Sequence, residues 1–153
     1  MTPEERLQSL GLHLPDAPAP VGAYVPAVHV GALVFVSGQL PTSPHAPMPT
    51  GIVGRDLGVP EAQEAARQCA INLLAVVRRG LGTLDRVKRV VKIEGFVASA
   101  PGFTDQAGVV NGASELMTAV FGEAGRHARA AVGVSVLPKN APVEIAAIFE
   151  VHD

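Results

Sequence analysis

A chain of 153 residues with 48% apolar residues, 17% charged residues and a formal net charge of −2 can bury a real core, but it lacks the basic footprint of a nucleic-acid-binding protein. Its apolar runs fall short of a membrane span, the start Met1-Thr2-Pro3-Glu4-Glu5-Arg6 lacks the features of a signal peptide, and the lone Cys69 excludes an internal disulfide and a thiolate metal cluster. The expectation is one cytoplasmic domain over residues 1–153, poor enough in surface charge to point to self-association.

Thr2-Pro3-Glu4-Glu5 supplies an N-cap hydroxyl, a proline at the first helical position and a glutamate three residues after the cap, so a short helix is predicted to stop near Gly11. The segment His13 to Pro20 reads as an extended, proline-rich lead-in. Tyr24 to Val30 and Leu33 to Ser37 are β-prone runs around Gly31-Ala32, the pattern of a hairpin, with Pro26 consigning the first to an edge or a bulge. Pro41 to Pro49 should be irregular and mobile. Between Pro60 and Gly80, Ala62, Ala65, Ala66, Cys69, Leu73, Val76 and Val77 recur at helical spacing, which also makes Cys69 a buried, inert thiol.

Val87 to Val97 reads as a strand with Val87, Val91, Ile93 and Val97 on one side and Lys88, Lys92 and Glu94 on the other. A second helix is predicted from about Asp105 to Phe121, with Gly122 ending it. Two last strands, Ala128 to Leu137 and one opening with Val143-Glu144-Ile145, look like a hairpin joined by Pro138-Lys139-Asn140-Ala141-Pro142. The order of elements implies one mixed sheet with two helices packed on a single face. The histidines, His13, His29, His45, His127 and His152, show no paired spacing, so no metal is expected.

Each of the last two strands carries a charge in its interior, Arg129 and Glu144. Arg129 shares its face with Ala131, Gly133 and Ser135. If Leu137 pairs with Val143, then Arg129 faces Val151, and the two charges lie roughly 20 Å apart on one hairpin. They are then either independent surface groups or parts of a composite pocket to which a neighbouring subunit brings its own Glu144.

The segment Ala128 to Ile145, with its arginine, the Leu137-Pro138 pair and Val143-Glu144-Ile145, resembles the carboxy-terminal signature of the RidA (YjgF-like) reactive-intermediate deaminases. Gly22-Ala23-Tyr24-Val25, Val36-Ser37-Gly38-Gln39-Leu40-Pro41 and Val110-Asn111-Gly112-Ala113 carry the same likeness, in the same order and spacing. The resemblance implies an α+β, chorismate-mutase-like fold assembled as a homotrimer with clefts between subunits. It implies hydrolysis of 2-imino and 2-enamino acids, such as 2-iminopropionate and 2-aminoacrylate, to 2-oxo acids and ammonia without metal or organic cofactor. By position, Arg129 would grip the substrate carboxylate and Glu144 would carry a proton. Tyr24, Ser37 and Gly38 would line the pocket, and Asn111 and Pro138 would shape its rim. Ala131 stands where the best-known deaminases have a cysteine that touches ligand or water. With the amino-terminal helix, the proline-rich insertion and extra residues around Thr104-Asp105-Gln106, it marks a divergent subgroup. A regulator that binds a carboxylate without turnover is the second reading, and a ribonuclease the last.

Overall fold

Three α-helices and five strands follow one another as α1 (Pro3–Ser9), β1 (Ala27–Val30), β2 (Leu33–Gln39), α2 (Val59–Leu81), β3 (Val87–Ala98), α3 (Gln106–Phe121), β4 (Ala128–Val134) and β5 (Val143–Val151) in the computed structural model, which describes residues 1–153. Local sequence sets most of these boundaries. At α1, Glu5 N–H donates to Thr2 Oγ1 at 3.2 Å while Thr2 N–H donates to Glu5 Oε2 at 2.9 Å, the reciprocal capping predicted from the first residues. Gly82 ends α2 in the left-handed region at φ 86°, which costs glycine little. Asp105 caps α3 by accepting from Gly108 N–H at 3.0 Å.

The five strands form one mixed sheet in the order β1-β2-β5-β3-β4, antiparallel throughout except for the parallel pair β3–β4. Both long helices pack on one face. Phe149, Ile145, Ile93 and Val90 of the sheet are wholly buried together with Leu73 and Leu74 of α2 and Val109 and Met117 of α3. Close approach of the helices needs Gly112, because a Cβ there would run into the backbone carbonyl of Gln63. No helix is long and apolar enough to cross a membrane.

The predicted hairpin of the last two strands does not form. β5 enters the middle of the sheet between β2 and β3, while β4 lies on the far side of β3 as an edge strand. Side-chain content explains the difference: β5 buries Val143, Ile145, Ala147, Phe149 and Val151 in strict alternation, whereas β4 is made largely of alanine and glycine and buries none of its residues fully. The β3-α3-β4 connection is a crossover long enough to bring β4 back parallel to β3, and β4 stops at Val134, short of the predicted Leu137.

A second correction concerns β3. Val90 rather than Val91 is the fully buried residue, because the register slips between Val87 and Arg89 and again between Val90 and Lys92. Two bulges thus break the period of two that the sequence reading assumed. The Pro41–Pro49 segment is irregular, as its composition predicts, but its first residues are fixed rather than free. The wholly buried Asn72 donates through Nδ2 to the carbonyls of Leu40 and Thr42, each at 2.9 Å.

Opposite the helices the sheet has no cover. Val28 is 49%, Phe35 41% and Val132 46% exposed there, beside the half-buried Phe96, Ala146 and Ile148. These apolar residues share the face with the exposed Lys92–Glu94 ion pair.

Candidate functional site

Arg129 pairs with Ile93 in the β3–β4 register, so its side chain leaves the sheet on the helix side and meets α3. Its Nη1 donates to Asn111 Oδ1 at 2.8 Å and to Ser114 Oγ at 3.2 Å, and its Nη2 donates to the Ala107 carbonyl at 3.3 Å. Asn111 and Ser114 lie three residues apart on one helix face, so both reach the same guanidinium nitrogen. All three acceptors are uncharged, and none of the ion pairs in the chain includes Arg129. The positive charge is held in place but not neutralised within the chain. Ala131, two residues on, is half-buried on the same face opposite Gly95.

Glu144 lies elsewhere. It pairs with Phe96 on β3, three residues beyond Ile93, and therefore points to the uncovered face of the sheet. Two strand spacings across and three residues along put the backbones of Arg129 and Glu144 roughly 14 Å apart, with side chains leaving opposite faces. This replaces the separation of the hairpin geometry and strengthens its consequence, since one chain cannot bring the two groups to one small molecule.

Beside Glu144 lies the Ser37-Gly38 segment that the sequence singled out. The β2–β5 register shifts between Val36 and Gln39, leaving an extra residue at Ser37-Gly38, a β-bulge. Ser37 is fixed by donating through Oγ to the Val25 carbonyl at 2.7 Å and through N–H to the Pro26 carbonyl at 2.9 Å. Gly38 faces the carboxylate so closely that a Cβ would stand 2.5 Å from Glu144 Oε2. A shallow cleft opens from Gly38 toward Tyr24, lined also by Gln39, Leu40, Thr42, Lys139 and the lead-in residues Pro18 to Val21. Tyr24 is tied to that lead-in, its phenolic oxygen accepting from Val21 N–H at 3.2 Å.

The two predicted rim residues thus part company: Asn111 belongs with Arg129, whereas exposed Pro138 starts the turn that presents Lys139, and Lys139 rather than Pro138 lines the cleft. Sequence reasoning passed over Ser114, His127, Gln39 and Lys139. Ser114 sits one turn beyond Asn111, and His127 two residues before Arg129 and so on the same side of the chain, periodicities that point to the arginine only once β4 is packed against α3.

Burial raises the Glu144 carboxyl above the ordinary carboxylate range, with no cation close enough to offset it. Cys69 is wholly buried, and burial followed by the nearby Glu144 charge pushes its thiol well up, which fits the inert reading. A half-buried carboxyl that holds its proton more tightly than usual is suited to proton transfer. Gly38→Ala tests how far its position matters. Backbone at Gly38 does not demand glycine, and only a flexible carboxylate must move, so the fold should melt within a few degrees of the wild type while any activity that uses Glu144 falls by about 10²-fold, the effect of a misplacement near 1 Å.

Residues 4–150 match the family described as "YjgF/chorismate mutase-like, putative endoribonuclease". The chain is 51% identical over 148 residues to protein TCP17 of Trypanosoma cruzi, covering 96% of this chain and 92% of that one. It is 38% identical over 136 residues to a 2-iminobutanoate/2-iminopropanoate deaminase of Salmonella typhimurium, covering 87% and 91%. A crystal structure of a protein of unknown function from Agrobacterium tumefaciens superposes with a TM-score of 0.90 at 52% identity, covering 98% of this chain and 92% of that one.

Proposed function

Because the chain belongs to the YjgF/chorismate mutase-like family, whose members include 2-iminopropanoate deaminases, we propose that it hydrolyses 2-imino and 2-enamino acids to 2-oxo acids and ammonia. The observation that carries this reading is the guanidinium of Arg129, oriented by three neutral acceptors and left without an acid of its own chain. A substrate carboxylate completes it. The imine carbon then needs one water and one proton carrier. Glu144 of an adjacent subunit takes a proton as water adds to the protonated C=N bond, and returns it to the nitrogen of the resulting carbinolamine. Ammonia departs, the hydroxyl passes its proton back to Glu144, and the carbonyl forms. An enamine first gains a proton at carbon to become the same imine.

Opposite-face placement of Arg129 and Glu144 supports a site shared between chains, and the uncovered apolar face supplies a surface on which chains would meet. A homotrimer with three such clefts is the assembly we propose, with Tyr24, Ser37 and Gly38 lining each cleft beside Glu144. Neither metal nor organic cofactor enters these steps, since water, a base and a carboxylate anchor account for the chemistry. Ala131 in place of the family's cysteine favours one second reading, a site that binds a 2-oxo acid without turnover.

Mixed assemblies test the shared site. Arg129→Ala and Glu144→Gln chains, each strongly impaired alone, should regain decay of 2-iminopropanoate generated in situ by an amino acid oxidase when co-expressed in equal amounts, with roughly a quarter of the clefts holding both native groups. No recovery in mixed assemblies of wild-type mass would sink the shared cleft. Binding of 2-oxobutanoate by a wild type that leaves the imine untouched would establish the second reading instead.

A further inference from the structure

The side chains behind Arg129 form a chain of hydrogen bonds that the reaction does not use directly. His127 Nδ1 lies 2.6 Å from the Gly125 carbonyl, and His127 Nε2 lies 2.9 Å from Ser114 Oγ, which in turn accepts from Arg129 Nη1 at 3.2 Å. Donor and acceptor roles follow from elementary rules. A carbonyl only accepts, so Nδ1 carries a hydrogen. Burial, and after it the Arg129 charge, pull the imidazole below its ordinary range against the opposing pull of the Gly125 carbonyl, so at neutral pH Nε2 is bare. The Ser114 hydroxyl must then donate to Nε2, which turns its lone pairs toward the guanidinium.

We propose that Ser114 and His127 are positioning residues for Arg129, a strut running from the Gly125 carbonyl that fixes the direction of the guanidinium fork. The inference rests on the reading of Arg129 as the carboxylate anchor and adds what holds it. Asn111 Oδ1 and Ser114 Oγ occupy both hydrogens of Nη1, and the Ala107 carbonyl takes one of Nη2. Nε–H and the second Nη2 hydrogen remain, two donors for the two oxygens of a carboxylate. Without Ser114, Nη1 keeps a single acceptor and the fork is free to swing about the Asn111 contact.

A serine beside a histidine that leans on a carbonyl also has the outline of a nucleophile with its base. Ser114 sits inside α3, however, where the neighbouring backbone N–H groups are spent in the helix, so no pair of donors stands ready for an oxyanion. Positioning is what the surroundings support.

Four variants test the strut in the intact assembly. Ser114→Ala and His127→Phe should raise KM for 2-iminopropanoate and the Kd for 2-oxobutanoate about tenfold, the scale of one hydrogen bond to a charged group, with kcat changed less than about threefold. Ser114→Thr keeps the hydroxyl and His127→Gln puts an amide oxygen near the place of Nε2, so both should restore KM. Nitrogen-15 NMR of the Arg129 guanidinium should show faster rotation in the first two variants than in the wild type. Unchanged KM and unchanged rotation in Ser114→Ala would overturn the strut, as would conservative variants no better than the disruptive ones, or labelling of Ser114 by a fluorophosphonate. A wild type that neither turns over imine nor binds 2-oxobutanoate would overturn the deaminase reading itself, whereas an active wild type with four equivalent variants would overturn only the strut.

Discussion

Glu144→Gln is expected to lower kcat for 2-iminopropanoate by about 10²–10⁴-fold with little change in KM, the signature of a lost proton carrier rather than a lost binding contact. Glutamine keeps the shape against Gly38 and removes only the ability to take a proton from water. The pH profile of the wild type gives an independent check. Burial raises the Glu144 carboxyl, so the acid limb of kcat/KM should lie above the ordinary carboxylate range and should vanish from the residual activity of the glutamine variant. Stability should respond in the opposite sense. A carboxyl whose folded value is raised stabilises the fold below its unfolded value, and that contribution is lost as pH rises through the folded value. At neutral pH the wild type therefore carries a desolvated charge that the variant lacks, and Glu144→Gln should melt no lower than the wild type by calorimetry. A variant that melts lower and keeps its kcat would remove Glu144 from the reaction.

Arg129→Lys is expected to reduce kcat/KM by about 10²–10³-fold although the charge is retained. Three acceptors of α3 and a carboxylate surround a planar fork of five N–H groups, and an ammonium presents three donors from a single point. Lysine can satisfy Asn111 or grip a carboxylate, not both in line. Most of the loss should appear in KM, with the Kd for 2-oxobutanoate rising in parallel. Steady-state kinetics beside calorimetric titration would separate the two, and a variant within about tenfold of the wild type on both would mean that charge alone, not direction, matters at position 129.

Much of the fold could be read from the residues. The apolar stripe from Ala62 to Val77, the cap at Thr2 and the stop at Gly122 gave the helices, because these signals act within one or two turns. The wrong pairing of the last strands had a physical source: Pro138 to Pro142 is a plausible hairpin turn, and whether β5 prefers β4 or β3 depends on the whole sheet burying its most apolar strand at the centre. Val91 was misplaced because bulges leave no mark in an alternating pattern. At the site, Arg129, Glu144, Gly38 and Asn111 were legible through motif resemblance, whereas Ser114 and His127 were not, since only the folding of β4 against α3 brings them within hydrogen-bond distance.

The sheet acts as a partition, with Arg129, the proposed anchor, on one side and Glu144, the proposed acid, on the other. Pro18 to Val21 and Lys139 border only the acid's side, while α3 borders only the anchor's. In the proposed reaction, substitutions in the lead-in would therefore alter which substrate tails are admitted without disturbing how the carboxylate is held. Selectivity and grip are separately adjustable in this architecture, which leaves room for an amino-terminal extension to diverge while the α3–β4 corner stays as it is.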